Sequence, residues 1–268
     1  MNPRPSPWQG DALPLSYSRK PAQIIANAGV SPQRGSRVHG PSDWRRKVPA
    51  AHGTPAANMA TICLDPGHGG PDAGAVRNGL AEKEVALDIA RAARAALEPG
   101  HRVVLTRDTD RALTLAERRR AADEAAAEVF VAIHVNASAR PQAQGFEVLI
   151  RQWKDTPGAV LAADILEAIA ARFPDRRNRG IKQAPLAVLR QPRPSCLVEC
   201  LFISHPAERA LLAQPEIRTA LGVAIAGGCE VFARRPWFTA RAVPAAAGKG
   251  RTERRAARSP RRPAPPPA

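Results

Sequence analysis

The chain has 268 residues and a formal net charge of +16. This length accommodates one large domain or two small ones. No stretch approaches the roughly 18 apolar residues of a membrane-spanning helix, and the first thirty residues lack the apolar core of a secretory signal. The sequence therefore predicts no transmembrane segment and contains no recognisable export signal.

The basic charge is concentrated at the two ends of the chain. Residues 1–56 contain 8 basic and 2 acidic side chains, and residues 234–268 contain 10 and 1, whereas residues 57–233 contain 22 and 21. Basic ends of this kind can contact anionic wall polymers or a membrane surface. A solvated, low-complexity tail without such a partner is the simpler alternative.

Composition also predicts the domain boundaries. Residues 1–58 and 236–268 are rich in Pro, Arg and small residues and have little apolar surface to bury, which predicts disorder. The structured domain is predicted over residues 59–235. Because Met59 lies just before the first apolar run, the segment 1–58 is interpreted either as a leader or as an extension upstream of the true start.

Within the predicted domain, strand-like runs alternate with helical patterns. Helical periodicity occurs in AEKEVALDIARAARAALE, TLAERRRAADEAAAE, AVLAADILEAIAARF and AERALLAQPEIRTALGVAIAGGCEVFA. Short strands are predicted at ATICLD, HRVVLTR, VFVAIHV, GFEVLIR, LAVLR and SCLVEC. This order predicts an α/β fold: a single domain with a mostly parallel, mixed sheet of about six strands and helices on both faces.

Four ionisable residues are predicted to meet at one edge of this sheet. His68 follows the first strand in ICLDPGHGGPDAG, His134 ends the third and Glu199 ends SCLVE. Glu82 opens the helix after the glycine-rich loop and so returns to the same edge, where open α/β sheets bind ligands. Two histidines and a carboxylate form a three-ligand zinc set with a position left for water, and Glu199 is then free to transfer protons.

Each of these residues also has a simpler interpretation. A histidine at a strand end is commonly structural, and a glutamate that opens a helix commonly interacts with the helix dipole. The glycine-rich loop could instead bind phosphate, although GHGGPDAG matches neither common phosphate-binding pattern. Composition and spacing alone leave these alternatives open.

Several stretches resemble, in order, the motifs of the zinc-dependent N-acetylmuramoyl-L-alanine amidases of the type-3 family, which cut bacterial peptidoglycan. The similarity extends from about Ala60 to about Phe232. The stretches that carry it are LDPGHGGPDAGA, GLAEKEVALDIA, LTRDTDRALTLAERRRAAD, FVAIHVNA and NRGIKQAPLAVLRQPRPSCLVECLFISHPAE.

The resemblance implies a role for each of the four residues. His68, Glu82 and His134 correspond to zinc ligands, with Glu84 as the second choice for the carboxylate, and Glu199 corresponds to the catalytic glutamate. The implied reaction is hydrolysis of the amide bond between N-acetylmuramic acid and L-alanine. Glu199 would take a proton from water and pass it to the departing amine.

Other positions give weaker expectations. Arg179, in RGIK, is a candidate for binding a peptide carboxylate of the substrate, and Asn136 is a second substrate-binding candidate. The chain departs from the family pattern at Asp123, Leu201 and His205. His205 is expected at the surface, with an approach to the site as the alternative.

Two other functions compete with the amidase interpretation. One is another zinc peptidase or carboxypeptidase acting on wall peptides, and the other is a non-catalytic protein that binds wall or polyanion through its tails. The expected partner is peptidoglycan, with no specific nucleic acid, and the expected state is a monomer. We expect action in the cell wall, in the periplasm or outside the cell, after release from the cytoplasm or through an export signal that this start lacks.

Overall fold

The computed structural model describes residues 59–140 and 142–242, without the side chains of residues 156 and 240–242. The predicted segment 1–58 and residues 243–268 of the predicted tail lie outside the described residues. Within the described part, no helix has both the length and the apolar character needed to cross a bilayer.

A mixed sheet forms the centre of the domain. The strands are β1 (Thr61–Pro66), β2 (Val76–Arg77), β3 (Leu80–Ala81), β4 (Arg102–Leu105), β5 (Val129–Asn136), β6 (Phe146–Ile150), β7 (Asn178–Gln183) and β8 (Ser195–Phe202). Six of them form one sheet in the order β4-β1-β5-β8-β6-β7, and β2 pairs with β3 in a small hairpin. All neighbours in the large sheet are parallel except β6 and β8, which are antiparallel.

Helices cover both faces of this sheet. They are α1 (Glu82–Leu97), α2 (Leu115–Glu124), α3 (Thr156–Arg172), α4 (Pro206–Leu212), α5 (Pro215–Ala233) and α6 (Pro236–Ala242), with a 3-10 helix at Ala187–Leu189. The larger apolar core lies between the sheet and α1, α3 and α5. A smaller core lies on the other face, beneath α2 and the 3-10 helix. The predicted α/β domain with a mixed, mostly parallel six-stranded sheet is therefore confirmed.

Strand alternation divides the side chains between the two faces. In β5, Val131 and Ile133 belong to the larger core, whereas Phe130 and Ala132 belong to the smaller one. His134 continues the second series, because successive residues of a strand point to opposite faces. The side chain of His134 therefore lies on the face of the sheet that carries the smaller core.

One predicted strand is wrong. LAVLR forms the 3-10 helix, and the sixth strand of the sheet is β7, with the polar sequence NRGIKQ. A short apolar run does not distinguish a strand from a short helix, and here Val188 and Leu189 bury their side chains in the smaller core. β7 lies at the edge of the sheet and pairs with β6 alone. A polar sequence suits an edge strand, because one side of it has no neighbouring strand in the sheet.

The predicted start of the tail at residue 236 also needs correction. Residues 236–242 form α6, in which the rings of Trp237 and Phe238 lie 5.4 and 5.1 Å from that of Phe232. These two aromatic residues give the segment apolar surface to bury. The prediction missed this because the average composition of the tail is dominated by Arg, Ala and Pro. The described structure therefore continues past residue 235.

Candidate metal centre and neighbouring carboxylates

Three elements bring the predicted ligands together. His68 follows β1, Glu82 is the first residue of α1, and His134 lies in β5, which pairs with β1. His68 has a φ of 60°, so its backbone is in the left-handed region that residues other than glycine seldom adopt. The turn after β1 therefore holds this histidine in a strained conformation at the sheet edge.

The ligand atoms of these three residues converge. One atom from each of His68, Glu82 and His134 lies within 4.8 Å of the others. Glu82 Oε1 is 3.2 Å from His68 Nε2 and 3.0 Å from His134 Nδ1. Two imidazole nitrogens and a carboxylate oxygen form a donor set suited to zinc and other transition-metal ions. This group is consistent with a bound metal ion.

Burial and the neighbouring charges have opposite effects on the pKa values of Glu82 and His68. Burial raises the pKa of Glu82, but hydrogen bonds and charge from His134 and His68 outweigh it and hold that pKa below its usual range. Burial lowers the pKa of His68, but Glu82 and then Asp72 outweigh it and raise that pKa overall. The Glu82 carboxylate therefore favours a positive charge at the point where the two histidine rings meet it.

Asp72 and the main chain orient the ligands. His68 Nδ1 lies 2.9 Å from Asp72 Oδ2, so a protonated Nδ1 donates to this carboxylate and leaves Nε2 free to bind a metal. The backbone nitrogens of Ala75 and Val135 donate to the two carboxylate oxygens of Glu82 at 3.0 and 3.1 Å. Both side chains are thus fixed by contacts outside the ligand set.

Two glycines leave space for the ligand side chains. A Cβ atom at Gly67 would lie 2.4 Å from the ring of His134. At Gly74, where φ is +66°, it would lie 2.7 Å from both Glu82 Oε2 and the His68 ring. The glycines of the loop therefore permit the ligands to approach one another across the main chain.

Glu84, the second choice for the carboxylate ligand, is exposed on α1. It is absent from the group of His68, Glu82 and His134 that the described residues form. The geometry therefore favours Glu82.

Glu199 lies on the neighbouring strand and is the register partner of His134. It is inside β8 rather than at its end, because the strand continues to Phe202. Its buried Oε2 has no hydrogen-bond partner among the described residues. Burial, and then the charges of Glu82 and Glu147, raise the pKa of Glu199 well above its ordinary value. A buried carboxyl group with an unpaired oxygen beside the candidate ligands is a candidate for proton transfer.

Sequence reasoning missed Glu147, which is the partner of Glu199 on the other side, in β6. Glu147 accepts hydrogen bonds from Asn136 Nδ2 at 3.0 Å, from Arg179 Nε at 2.5 Å and from Lys182 Nζ. His134, Glu199 and Glu147 therefore form a row across three adjacent strands. The sequence did contain one indication of this residue, namely a single carboxylate within the otherwise apolar strand sequence GFEVLI.

The two weaker substrate-binding candidates are both bonded to Glu147. Arg179 also stacks over the ring of Phe202, with 4.8 Å between the guanidinium carbon and the ring centroid. The Arg179 guanidinium is therefore engaged within the protein, whereas the side chain of Lys182 is partly exposed beside it. Asn136 lies at the end of β5 and links that strand to β6.

The three departures from the family pattern lie outside the ligand set. His205 caps α4, where its side chain accepts a 3.4 Å hydrogen bond from the backbone of Glu208. Asp123 pairs with Arg193. Leu201 has a φ of 65°, which glycine adopts more readily, next to the register shift between β5 and β8.

Comparison with known proteins agrees with the fold. The profile of the Amidase_3 family, described as N-acetylmuramoyl-L-alanine amidase, matches residues 62–230. The chain therefore belongs to this family, and the resemblance in its motifs is confirmed.

Named relatives include bacterial and phage proteins. LytC of Bacillus subtilis strain 168, an N-acetylmuramoyl-L-alanine amidase, is 36% identical over 177 residues, covering 65% of this chain and 36% of LytC. The endolysin of Bacillus phage SPP1 is 38% identical over 159 residues, covering 56% of this chain and 58% of the endolysin. The chain thus spans less than two thirds of the length of either relative.

A solved structure matches almost completely over the domain. The amidase AmiC2 of Nostoc punctiforme superposes with a TM-score of 0.63 at 35% identity, covering 67% of this chain and 99% of that one. The shared part is the amidase fold itself.

Proposed function

We propose that this protein is a zinc-dependent amidase that hydrolyses the bond between N-acetylmuramic acid and L-alanine in bacterial peptidoglycan. The observation that carries the proposal is the convergence of His68, Glu82 and His134 beside Glu199, whose Oε2 has no hydrogen-bond partner among the described residues. Membership of the amidase family supports the choice of substrate.

His68, Glu82 and His134 would hold the zinc ion through Nε2, a carboxylate oxygen and Nδ1. Zinc bound in this way polarises a carbonyl and makes water a stronger nucleophile at neutral pH. Asp72 keeps the His68 ring in the orientation that presents Nε2. Zinc is preferred because two nitrogens and one carboxylate match its common catalytic donor set.

Glu199 would perform the proton transfers. Its carboxylate accepts a proton from the attacking water and later delivers it to the nitrogen of the departing L-alanine. Two observations support this role: Glu199 is the register partner of His134 on the adjacent strand, and its buried Oε2 has no hydrogen-bond partner among the described residues. Glu147, which is bonded to three neighbours, is not available for this exchange.

The test is product analysis of purified peptidoglycan digested with the full-length chain. The amidase releases new N-terminal alanine, whereas a carboxypeptidase releases a C-terminal residue instead. Glu199→Gln should lower the rate by about 100-fold or more, the usual contribution of a general base. A chelator should abolish activity, and Zn²⁺ should restore it. Wild-type activity in Glu199→Gln, or release of C-terminal residues alone, would show the proposal to be wrong.

We further propose that the enzyme acts as a monomer at the cell wall, and that its basic ends contact anionic wall polymers. The support is the charge of residues 234–268, with 10 basic side chains and 1 acidic one. Binding to purified wall should then weaken as salt rises. Binding that is unchanged by salt, or unchanged after deletion of residues 243–268, would contradict this role. A dimer in sedimentation experiments would contradict the monomer.

A further inference from the structure

Arg107, which follows β4, is buried beneath the candidate metal centre with 1% of its surface exposed. Its Nη2 donates to the carbonyl of Gly67 at 2.6 Å and to that of Lys83 at 2.8 Å. Gly67 immediately precedes His68, and Lys83 immediately follows Glu82. A single guanidinium nitrogen therefore joins the main chain beside two of the three ligands.

The same guanidinium makes two more contacts. Its Nε donates to the carbonyl of Pro66 at 3.1 Å, and its Nη1 donates to that of Thr109 at 3.2 Å. All three nitrogens of the Arg107 guanidinium thus donate to main-chain carbonyls, which fixes the position of the guanidinium group. A lysine has one nitrogen at the end of a flexible chain and cannot reproduce this fork.

Arg118, in α2, binds the same turn from another side. Its Nη2 donates to the carbonyl of His68 at 2.8 Å. Its Nη1 donates to the carbonyl of Pro66 and to Asp65 Oδ1, both at 2.8 Å. Consecutive carbonyls from Pro66 to His68 are therefore bound by one or both arginines.

This arrangement explains how the strained turn is maintained. Backbone strain of the kind seen at His68 persists only where the surroundings fix the conformation. Here, the fixing groups are two buried arginines whose donors converge on the turn. Neither arginine contacts a ligand side chain in the described hydrogen bonds, so both act through the main chain.

We propose that Arg107 and Arg118 are positioning residues that set the spacing between His68 and Glu82 and thereby tune the affinity of the metal centre. Arg107 fixes the separation of the two ligand backbones, and Arg118 fixes the angle at which His68 leaves β1. This inference rests on the proposed metal centre. It assigns a function to residues that are remote in sequence from both ligands.

The test measures Zn²⁺ affinity directly in the full-length chain, by competition with a chromophoric chelator. Arg107→Lys should weaken Zn²⁺ binding by roughly 10- to 100-fold, the usual effect of removing a group that orients a ligand. Its activity should return at high Zn²⁺, whereas the activity of Glu199→Gln should not. Arg118→Lys should show the same pattern and serves if Arg107→Lys does not fold.

Arg235→Lys is the matched control. Arg235 forms a partly buried, two-pronged ion pair with Asp164 of α3, outside the turns that carry the candidate ligands. This variant should lose stability but bind Zn²⁺ within about twofold of wild type, since it removes no group that orients a ligand. Thermal unfolding of each metal-free variant establishes that it is folded.

Two results would overturn the inference in distinguishable ways. Folded Arg107→Lys and Arg118→Lys proteins with wild-type Zn²⁺ affinity would show that the arginines only stabilise the turn, leaving the proposed metal centre intact. Failure of the wild-type chain to bind Zn²⁺ would remove the metal centre itself, and the positioning role with it.

Discussion

Glu147 and Glu199 lie opposite each other across the antiparallel strands β6 and β8, in very different surroundings. Glu147 is bonded to Asn136, Arg179 and Lys182, whereas Glu199 Oε2 has no hydrogen-bond partner among the described residues. The two carboxyl groups therefore differ in kind: Glu147 is fully paired within the protein, whereas Glu199 keeps an unpaired oxygen beside the candidate ligands.

This difference predicts how stability depends on pH. The pKa of Glu199 is raised in the folded protein, so its stabilising contribution is fully present below the ordinary carboxyl pKa and is lost as pH rises through the raised value. Gln cannot ionise and carries no such loss. Metal-free Glu199→Gln should therefore match wild type near about pH 4 and unfold at higher denaturant concentration near about pH 8.

Denaturant unfolding of both proteins at the two pH values measures the effect. Glu84→Gln, at an exposed position on α1, provides the control and should follow wild type throughout. Equal stability of wild type and Glu199→Gln at both pH values would contradict the burial of an uncompensated carboxyl group at this position.

The choice between Glu82 and Glu84 can be tested with the same isosteric change at both positions. Glu82→Gln removes an anionic ligand from between two histidines and should weaken Zn²⁺ binding by more than about 100-fold. Glu84→Gln should leave binding unchanged. Metal content after gel filtration distinguishes them, and equal Zn²⁺ content in the two variants would count against Glu82.

The grouping of His68, Glu82 and His134 and most elements of the fold could be predicted from the sequence, because they follow short-range patterns. His68 follows β1 and His134 lies near the end of β5, and because these strands are parallel, their polarity predicts that both residues lie at one edge. Glu147 was missed because β6 is antiparallel to β8, which brings the beginning of β6 to the edge of the sheet where β5 and β8 end. Its partner Arg179 lies in β7, 32 residues further along the sequence. No local pattern encodes this antiparallel reversal.

Removing one partner of the ion pair between Glu147 and Arg179 should be strongly destabilising, because the other charge is then left without its partner. Their side chains are 8% and 16% exposed, and breaking a buried pair by removing one partner typically costs about 3 kcal/mol. Glu147→Gln should lower the free energy of unfolding by about that amount. In a double-mutant cycle with Arg179→Met, the coupling should be about 1 kcal/mol or more.

A matched cycle is available on the surface of α2. Arg120 and Glu124 form an exposed pair with a spacing of four residues, for which the coupling should be about 0.3 to 0.5 kcal/mol. Urea unfolding provides all the required free energies. Equal coupling in the two cycles would show that Glu147 and Arg179 are screened by solvent.

Helix α6 should belong to the folded domain in energetic terms. Phe238 is 4% exposed and packs on Phe232, so Phe238→Ala should cost about 3 kcal/mol. Trp237→Ala should cost less, because that side chain is 38% exposed. A chain ending at residue 235 should be less stable to urea than one ending at 242, and equal stability of the two would contradict this packing.

Gly67 has no side chain, yet the ring of His134 occupies the space that a side chain there would fill. Even one added methyl group would displace the ring of a candidate metal ligand carried by a different strand. Tolerance to mutation should therefore be low at a residue that has no side chain, and a survey restricted to reactive side chains would overlook it. The geometry of this candidate site therefore depends on the absence of a side chain at Gly67 as well as on the side chains that form the site.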